Sequence, residues 1–236
     1  MVNIEPTKDG LQVVYHHQGK LTAVSAKAAI VCVPKFIASR LLGGLPEAQL
    51  AAIRRMRYAP YPVVNLIFDQ PVYNRSYDTW CPGNVFTDFI VADWTVRNTP
   101  GYRQKNNVLT FYTPLRESQR FTLLDESSCK KLAARVLADF QNLMPEFNGD
   151  PVEVRLYRRG HPMFMAVPGQ FTQTRIAAAQ PMDRIFFGNA DSGGPESLTS
   201  EAIRVSIAAA EWAELVLAGK PGAKSVAEKA LSLNAT

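Results

Sequence analysis

The chain has 236 residues, of which 47% are hydrophobic and 20% are charged, so it is long and apolar enough to bury a sizeable core. The formal charge of +5 comes from basic residues dispersed among acidic and apolar neighbours, which argues against a nucleic-acid-binding tract. No apolar run approaches the ~20 residues that a membrane-spanning helix needs, and the N-terminus lacks the pattern of a signal peptide. We therefore expect a globular cytoplasmic protein with no transmembrane segment and no nucleic-acid partner.

The first part of the chain predicts a small piece of sheet followed by two helices. Residues 11–15 and 28–33 are strand-like, with a turn at Gly19 between them. The second of these runs is continuously apolar, which is typical of a strand covered on both faces. Helical patterns follow over residues 35–42 and, after a proline suited to a first helical turn, over residues 46–56.

The middle of the chain predicts a larger mixed sheet with a long helix. The helix is expected over residues 127–144, capped by Asp125 or Glu126, because its apolar residues recur at three- and four-residue steps. Strand-like runs separated by polar loops occur at residues 62–68, 86–94, 108–113 and 151–157.

The end of the chain returns to a buried strand at residues 184–187, a glycine-containing loop at 188–195, and an alanine-rich helix at 199–217. A helix that starts after such a loop presents free backbone N–H groups to an anion or a polar edge. The order of small sheet, large insert and small sheet predicts an α+β or α/β fold in which the chain leaves one domain, builds a second and returns.

Three stretches of the chain are informative together: the first runs from Val2 to the Val33-Pro34 step, the second covers residues 45–71, and the third covers residues 185–203. They resemble the C-terminal half of flavin-containing amine oxidases, protoporphyrinogen oxidases and phytoene-desaturase-like enzymes. The resemblance implies that residues 1–44 and 176–236 are a partial, Rossmann-like FAD-binding domain. It implies that residues 45–175 are a mixed-sheet substrate-binding domain with flanking helices.

The same resemblance implies FAD as the cofactor and hydride transfer to the flavin from a small apolar or amine-type molecule. In the family, backbone amides at the start of the last helix face the flavin's pyrimidine carbonyl, a role that falls here on Thr199. No residue is assigned as a catalytic acid or base, and no metal site is expected. The cofactor-binding residues that the resemblance implies are Val2, Val33, Pro34, Gly188, Asn189, Leu198, Thr199 and Ala202.

The sequence also departs from the family pattern. The Gly-x-Gly-x-x-Gly fingerprint is absent, so we expect a missing N-terminal segment or a separate chain to supply it, and this chain alone to hold FAD poorly. The family's Glu-Gly-Ala reads Ser200-Glu201-Ala202. Val63 and Leu198 stand where amine oxidases often carry a lysine and an aromatic residue, which favours an apolar substrate. The alternative is a non-catalytic, cofactor-free binding or scaffold relative of the same fold.

Overall fold

The computed structural model describes residues 1–103, 105–146, 149–194 and 197–219. Pro195 of the predicted loop and residues 220–236 of the predicted FAD-binding domain lie outside the described residues. The strands, in chain order, are β1 (Asn3–Pro6), β2 (Leu11–His17), β3 (Lys20–Ala26), β4 (Ala29–Val31), β5 (Tyr58–Ala59), β6 (Val63–Phe68), β7 (Asp78–Trp80), β8 (Asp88–Val91), β9 (Asn107–Tyr112), β10 (Glu153–Tyr157), β11 (Met163–Phe164) and β12 (Ile185–Phe187).

The α-helices are α1 (Lys35–Leu41), α2 (Glu47–Arg55), α3 (Glu126–Leu143), α4 (Arg175–Ala178) and α5 (Thr199–Leu217). Shorter helical turns are the 3-10 turns Ala92–Val96, Glu117–Leu124 and Ala190–Ser192, and the π-helical turn Gln170–Thr174. Within the described ranges, no helix combines the length and the apolar character needed to cross a membrane.

The chain divides into two compact units. The first unit combines Met1–Arg57 with Phe164–Thr236, and the second unit is Tyr58–Met163. The second unit is shorter at both ends than the substrate-binding domain expected over residues 45–175. The assignment of a cofactor role and a substrate role to these parts of the chain stays a prediction.

The described part of the first unit contains two small sheets. Strands β1, β2 and β3 form an antiparallel sheet, and β4 pairs in parallel with β12, with Val31 opposite Phe187. Apolar side chains from both sheets and from α1 meet in one core, and α5 covers Phe186 on β12 through Ala209 and Ala213. The core residues are Ile4, Leu11, Val31, Ala38, Leu42, Ile185 and Phe187.

Two expectations for this unit are wrong. The turn at Gly19 leads into β3, a strand that the sequence pattern did not reveal because nearly all of its side chains are exposed. Strand β4 is not covered on both faces: Val31 is buried, but Ile30 is 39% exposed. Successive side chains on a strand point to opposite faces, so an apolar run alone does not establish that both faces are covered.

The second unit is built on a five-stranded antiparallel sheet in the order β10-β6-β9-β8-β7. On β6 the even-numbered residues 64, 66 and 68 are buried, and together with β8 and β9 they face Val136 and Phe140 on α3. Helix α3 begins where predicted, because the Asp125 carboxylate accepts a 2.7 Å hydrogen bond from the Ser128 N–H and so caps the helix.

Candidate functional site

The ends of β4 and β12 lie side by side in the first unit. The Gly188 N–H donates to the Val31 carbonyl at 3.0 Å, and the Asn189 side-chain amide donates to the Cys32 carbonyl at 3.2 Å. Because β4 and β12 pair in parallel, the segments that follow them leave the sheet at the same edge. The two bonds connect these segments. The Val33-Pro34 step and the Gly188-Asn189 loop are therefore neighbours.

Helix α5 reaches the same loop. The Ser206 hydroxyl donates to the Gly188 carbonyl at 2.7 Å. A Cβ atom at Gly188 would lie only 3.0 Å from Ser206 Oγ and 3.1 Å from Cys32 Sγ. The absence of a side chain at Gly188 thus allows the loop to sit closely between β4 and α5.

The N-terminus of α5 has no side-chain cap among the described residues, and its N-cap residue Leu198 is 51% exposed. Thr199 and Ser200, which open the first turn, are exposed as well. The first amides of a helix have no partner within the helix, and the helix dipole favours negative charge there. This end of α5 is accordingly suited to a polar or anionic group.

The Glu201 side chain folds back onto the loop that precedes α5. Its carboxylate accepts from the Gly194 N–H and from Arg204 at 2.5 and 2.9 Å. The hydrogen bonds to Arg204 hold the pKa of that guanidinium above its ordinary value. The negative charge of Glu201 is therefore balanced by Arg204.

A buried ion pair links the segments that follow β4 and β12. Asp191 accepts a 2.7 Å hydrogen bond from the Lys35 backbone N–H and a 3.1 Å bond from the Lys35 ammonium, whose side chain is fully buried. The same ammonium donates to the Ser192 hydroxyl and lies 4.4 Å from the centre of the Phe187 ring. Burial lowers the pKa of Lys35, and the Asp191 carboxylate opposes that change.

Sequence reasoning missed Lys35 and Asp191. Lys35 stands three residues before the buried Ala38 on α1, so it occupies a position on the apolar face of that helix. A charged residue at such a position is a signal for a buried pair, because a lysine is almost never fully buried unless it is paired. No sequence pattern, however, pointed to Asp191 as the partner.

In the first unit, most of the predicted cofactor-binding residues lie at two places, the paired ends of β4 and β12 and the start of α5. Val33, Pro34, Gly188 and Asn189 lie at the paired strand ends, and the α5 start holds the residues predicted there, Leu198, Thr199 and Ala202. Val2 directly precedes β1 of the three-stranded sheet, and its N–H donates to the Val14 carbonyl at 2.8 Å. The roles of all eight residues remain predictions.

We expect Gly193→Ala to lower the free energy of unfolding by about 1–3 kcal/mol, because the added methyl overlaps the Glu201 carboxylate and a Val205 methyl. Urea unfolding measures this loss. Gly160→Ala is the matched control, since its Cβ would meet nothing closer than 3.8 Å. Equal stability of the two variants would show that the Glu201 contact does not constrain the loop.

Known proteins of similar sequence and structure point to one family. The profile of the family described as flavin containing amine oxidoreductases matches residues 1–212. The oxidoreductase PigB of Serratia sp. (strain ATCC 39006) is 24% identical over 214 residues, which make up 84% of this chain and 31% of PigB.

Two solved structures are similar in fold. Cyclohexylamine oxidase from Brevibacterium oxydans IH-35A has a TM-score of 0.64 and 14% identity over 96% of this chain and 47% of that one. A putrescine oxidase with bound putrescine has a TM-score of 0.65 and 15% identity over 89% of this chain and 47% of that one. The chain thus spans about half the length of these enzymes. Its mixed α/β architecture matches part of the fold of these oxidases, and the chain belongs to the family of flavin containing amine oxidoreductases.

Proposed function

We propose that this chain is the C-terminal portion of an FAD-dependent oxidoreductase, in which residues of the first unit contact the flavin. The observation that carries the proposal is the arrangement around Gly188. The Val33-Pro34 step lies beside Gly188, and Ser206 of α5 is bonded to it. The Val33-Pro34 step belongs to the first, and Gly188 to the third, of the stretches in which the sequence resembles the family.

The residues present fit a flavin. The α5 N-terminus has no side-chain cap in the described chain, and the nearby Glu201 charge is balanced by Arg204, so no free carboxylate repels an electron-rich ring there. Val2, Val33 and Pro34 would offer apolar contacts, and Gly188 and Asn189 would contribute a close backbone approach and an amide hydrogen bond. Leu198, Thr199 and Ala202 would line the ring edge at the start of α5.

A bound flavin supplies a hydride acceptor to this site. The protein itself would orient the substrate and stabilise negative charge on the flavin ring. The Thr199 N–H and the α5 dipole would contribute about 0.3–1 kcal/mol to that stabilisation. The substrate would be a small apolar or amine-type molecule, bound by the segment 45–175. The cytoplasmic location remains a prediction.

We further propose that a dinucleotide-binding segment, on the same polypeptide or on a separate chain, completes the FAD site. The fingerprint that lets backbone approach a pyrophosphate does not occur in these 236 residues. The test is flavin absorbance after desalting, with the chain alone and with such a segment. We expect flavin to be retained only in the second case, and near-stoichiometric flavin on the isolated chain would contradict this dependence.

Ala202→Leu tests the ring contact at the start of α5. We expect about tenfold weaker flavin binding or more in the completed protein, because replacing the methyl group with an isobutyl group in a close-fitting site costs about 1–3 kcal/mol. Fluorescence titration with FAD measures the change. Ala210→Leu is the control, since Ala210 is exposed on the same helix. Equal affinity of both variants would remove Ala202 from the site.

One observation favours the alternative function, a cofactor-free binding or scaffold relative. Glu201 replaces the glycine that the family carries at the start of this helix, and its side chain fills the space beside Gly193 and Gly194. If the completed protein binds no flavin and the Glu201→Gly variant does, the cofactor-free reading is correct.

A further inference from the structure

A second polar site lies in the first unit, where the π-helical turn Gln170–Thr174 leads into α4. The turn starts at Gly169, whose φ of 78° is in the left-handed region, and its i to i+5 bond joins the Arg175 N–H to the Gln170 carbonyl. One π-helical turn therefore separates Gln170 from Arg175. Single π-helical turns inside helices are frequent at functional sites.

Both side chains are buried and incompletely hydrogen-bonded. Gln170 is 1% exposed, and neither its amide nitrogen nor its amide oxygen has a partner among the described residues. Arg175 is 3% exposed, and its Nη1 has no partner in the same part of the chain. Its Nη2 makes a long 3.4 Å bond to the Phe171 carbonyl. Buried polar groups in native proteins are normally satisfied, so such groups call for a ligand or water.

The charges around Arg175 indicate the sign of the charge that a ligand at this site would carry. Burial lowers the pKa of the Arg175 guanidinium, the Glu201 carboxylate opposes that change, and the Arg204 charge adds to it. Glu201 is already bonded to Arg204 at 2.9 Å and to the Gly194 N–H, so the two guanidiniums together exceed one carboxylate by one positive charge. A bound anion would neutralise this excess positive charge beside Arg175.

We propose that Gln170 and Arg175 form a binding site for a small oxyanion that carries an adjacent hydroxyl donor, either a carboxylate or a phosphoryl group. The anionic oxygen accepts from Arg175 Nη1 and from the Gln170 amide nitrogen, because a guanidinium is always charged and only donates. The adjacent hydroxyl donates to the Gln170 amide oxygen. This site differs from the eight residues predicted to contact FAD, and its existence does not depend on flavin binding.

Thermal unfolding of the full chain tests the site, with glycolate and inorganic phosphate as probes and chloride at equal ionic strength as the control anion. We expect the wild-type Tm to rise with probe concentration, as it does for any ligand that binds only the folded state. A response to one probe only identifies the carboxylate or the phosphoryl source. No rise with either probe, or the same rise with chloride, would overturn the proposal.

Two buried glutamines provide a matched comparison of variants. Gln49 is 5% exposed, and its amide nitrogen donates to the Ala178 and Gln180 carbonyls, so Gln49→Met should lower the ligand-free Tm by roughly 2–8 °C. Gln170→Met removes groups that have no partner within the described ranges of the chain, so it should leave the ligand-free Tm unchanged or higher and abolish the response to the probes. Arg175→Met should abolish that response as well.

If Gln170→Met lowers the ligand-free Tm as much as Gln49→Met does, the Gln170 amide is already satisfied in the native protein and the proposal fails. A Gln170→Met variant that still responds to both probes also contradicts it. Because this variant retains the charge at Arg175, it tests the site even if Arg175→Met does not fold.

Discussion

Replacing Asp191 with asparagine is expected to lower the free energy of unfolding by about 3–5 kcal/mol, which corresponds to roughly 6–20 °C in Tm. The exchange keeps the shape of the side chain and removes its charge. The Lys35 ammonium, whose side chain is fully buried, then has no carboxylate to balance it at 3.1 Å. Chemical and thermal unfolding of the two proteins measure the loss.

The double variant Lys35→Met, Asp191→Asn is the control. It removes both charges, so we expect it to be more stable than Asp191→Asn alone, because a buried pair of charges is costly to break and much less costly to replace. If the double variant is as unstable as the sum of the two single variants, the two side chains do not interact. The pairing of Lys35 with Asp191 would then be wrong.

The pH dependence of the Asp191→Asn variant follows from the same pair. Burial lowers the pKa of Lys35 from its ordinary 10.5, and in the wild type the Asp191 carboxylate raises it in part. Without that carboxylate the folded-state pKa falls further, so between it and 10.5 the unfolded chain binds more protons. The variant should therefore gain stability as the pH rises through this window. A stability that is flat or that falls over the same pH range would contradict the assignment.

The second large effect is expected for Phe111→Ala in the second unit. Phe111 has no exposed surface, and its ring centre lies 4.8 Å from Phe86, 5.2 Å from Phe89 and 5.4 Å from Phe140. Removing a ring from such a cluster costs the transfer of its apolar surface and leaves a cavity, together about 3–5 kcal/mol. Urea unfolding and the amide hydrogen exchange of β6 and β9 report the loss.

Phe121→Ala is the control for that experiment, because Phe121 is 75% exposed. Its replacement should change the free energy of unfolding by no more than about 0.5 kcal/mol. Phe111→Leu, which retains most of the volume, should lie between the two alanine variants. A Phe111→Ala protein as stable as Phe121→Ala would show that the aromatic cluster is not tightly packed.

The elements that sequence reasoning located best are those with a strong periodic pattern and one buried face. Helices α3 and α5 and strands β6 and β9 were placed within about two residues of their observed ends. Strand β3 escaped because a strand held by backbone pairing, with exposed side chains, leaves no apolar alternation to detect. Strand β4 was predicted too long, since its apolar run extends beyond the three paired residues.

The candidate site was predictable only where the resemblance supplied residues. The loop at Gly188 and helix α5 were both named in advance, and the structure joins them through a hydrogen bond from Ser206, which lies inside the helix. Sequence reasoning did not identify the Lys35–Asp191 pair. It also did not identify the groups of Gln170 and Arg175 that lack partners in the described chain, because the burial of all four side chains depends on residues distant in sequence. A single sequence contains no direct signal for which charged side chains end up facing each other.

The bond between Lys35 and Asp191 joins positions that are 156 residues apart in the chain. Closing so long a loop carries an entropic cost before any contact is gained, and such distant contacts form slowly. While the protein is being synthesised, the Lys35 side chain on α1 lacks its carboxylate partner until Asp191 has emerged from the ribosome. The first unit can therefore reach its native arrangement only after Asp191 has been synthesised, and β4 has no strand β12 beside it until residues 185–187 have been made.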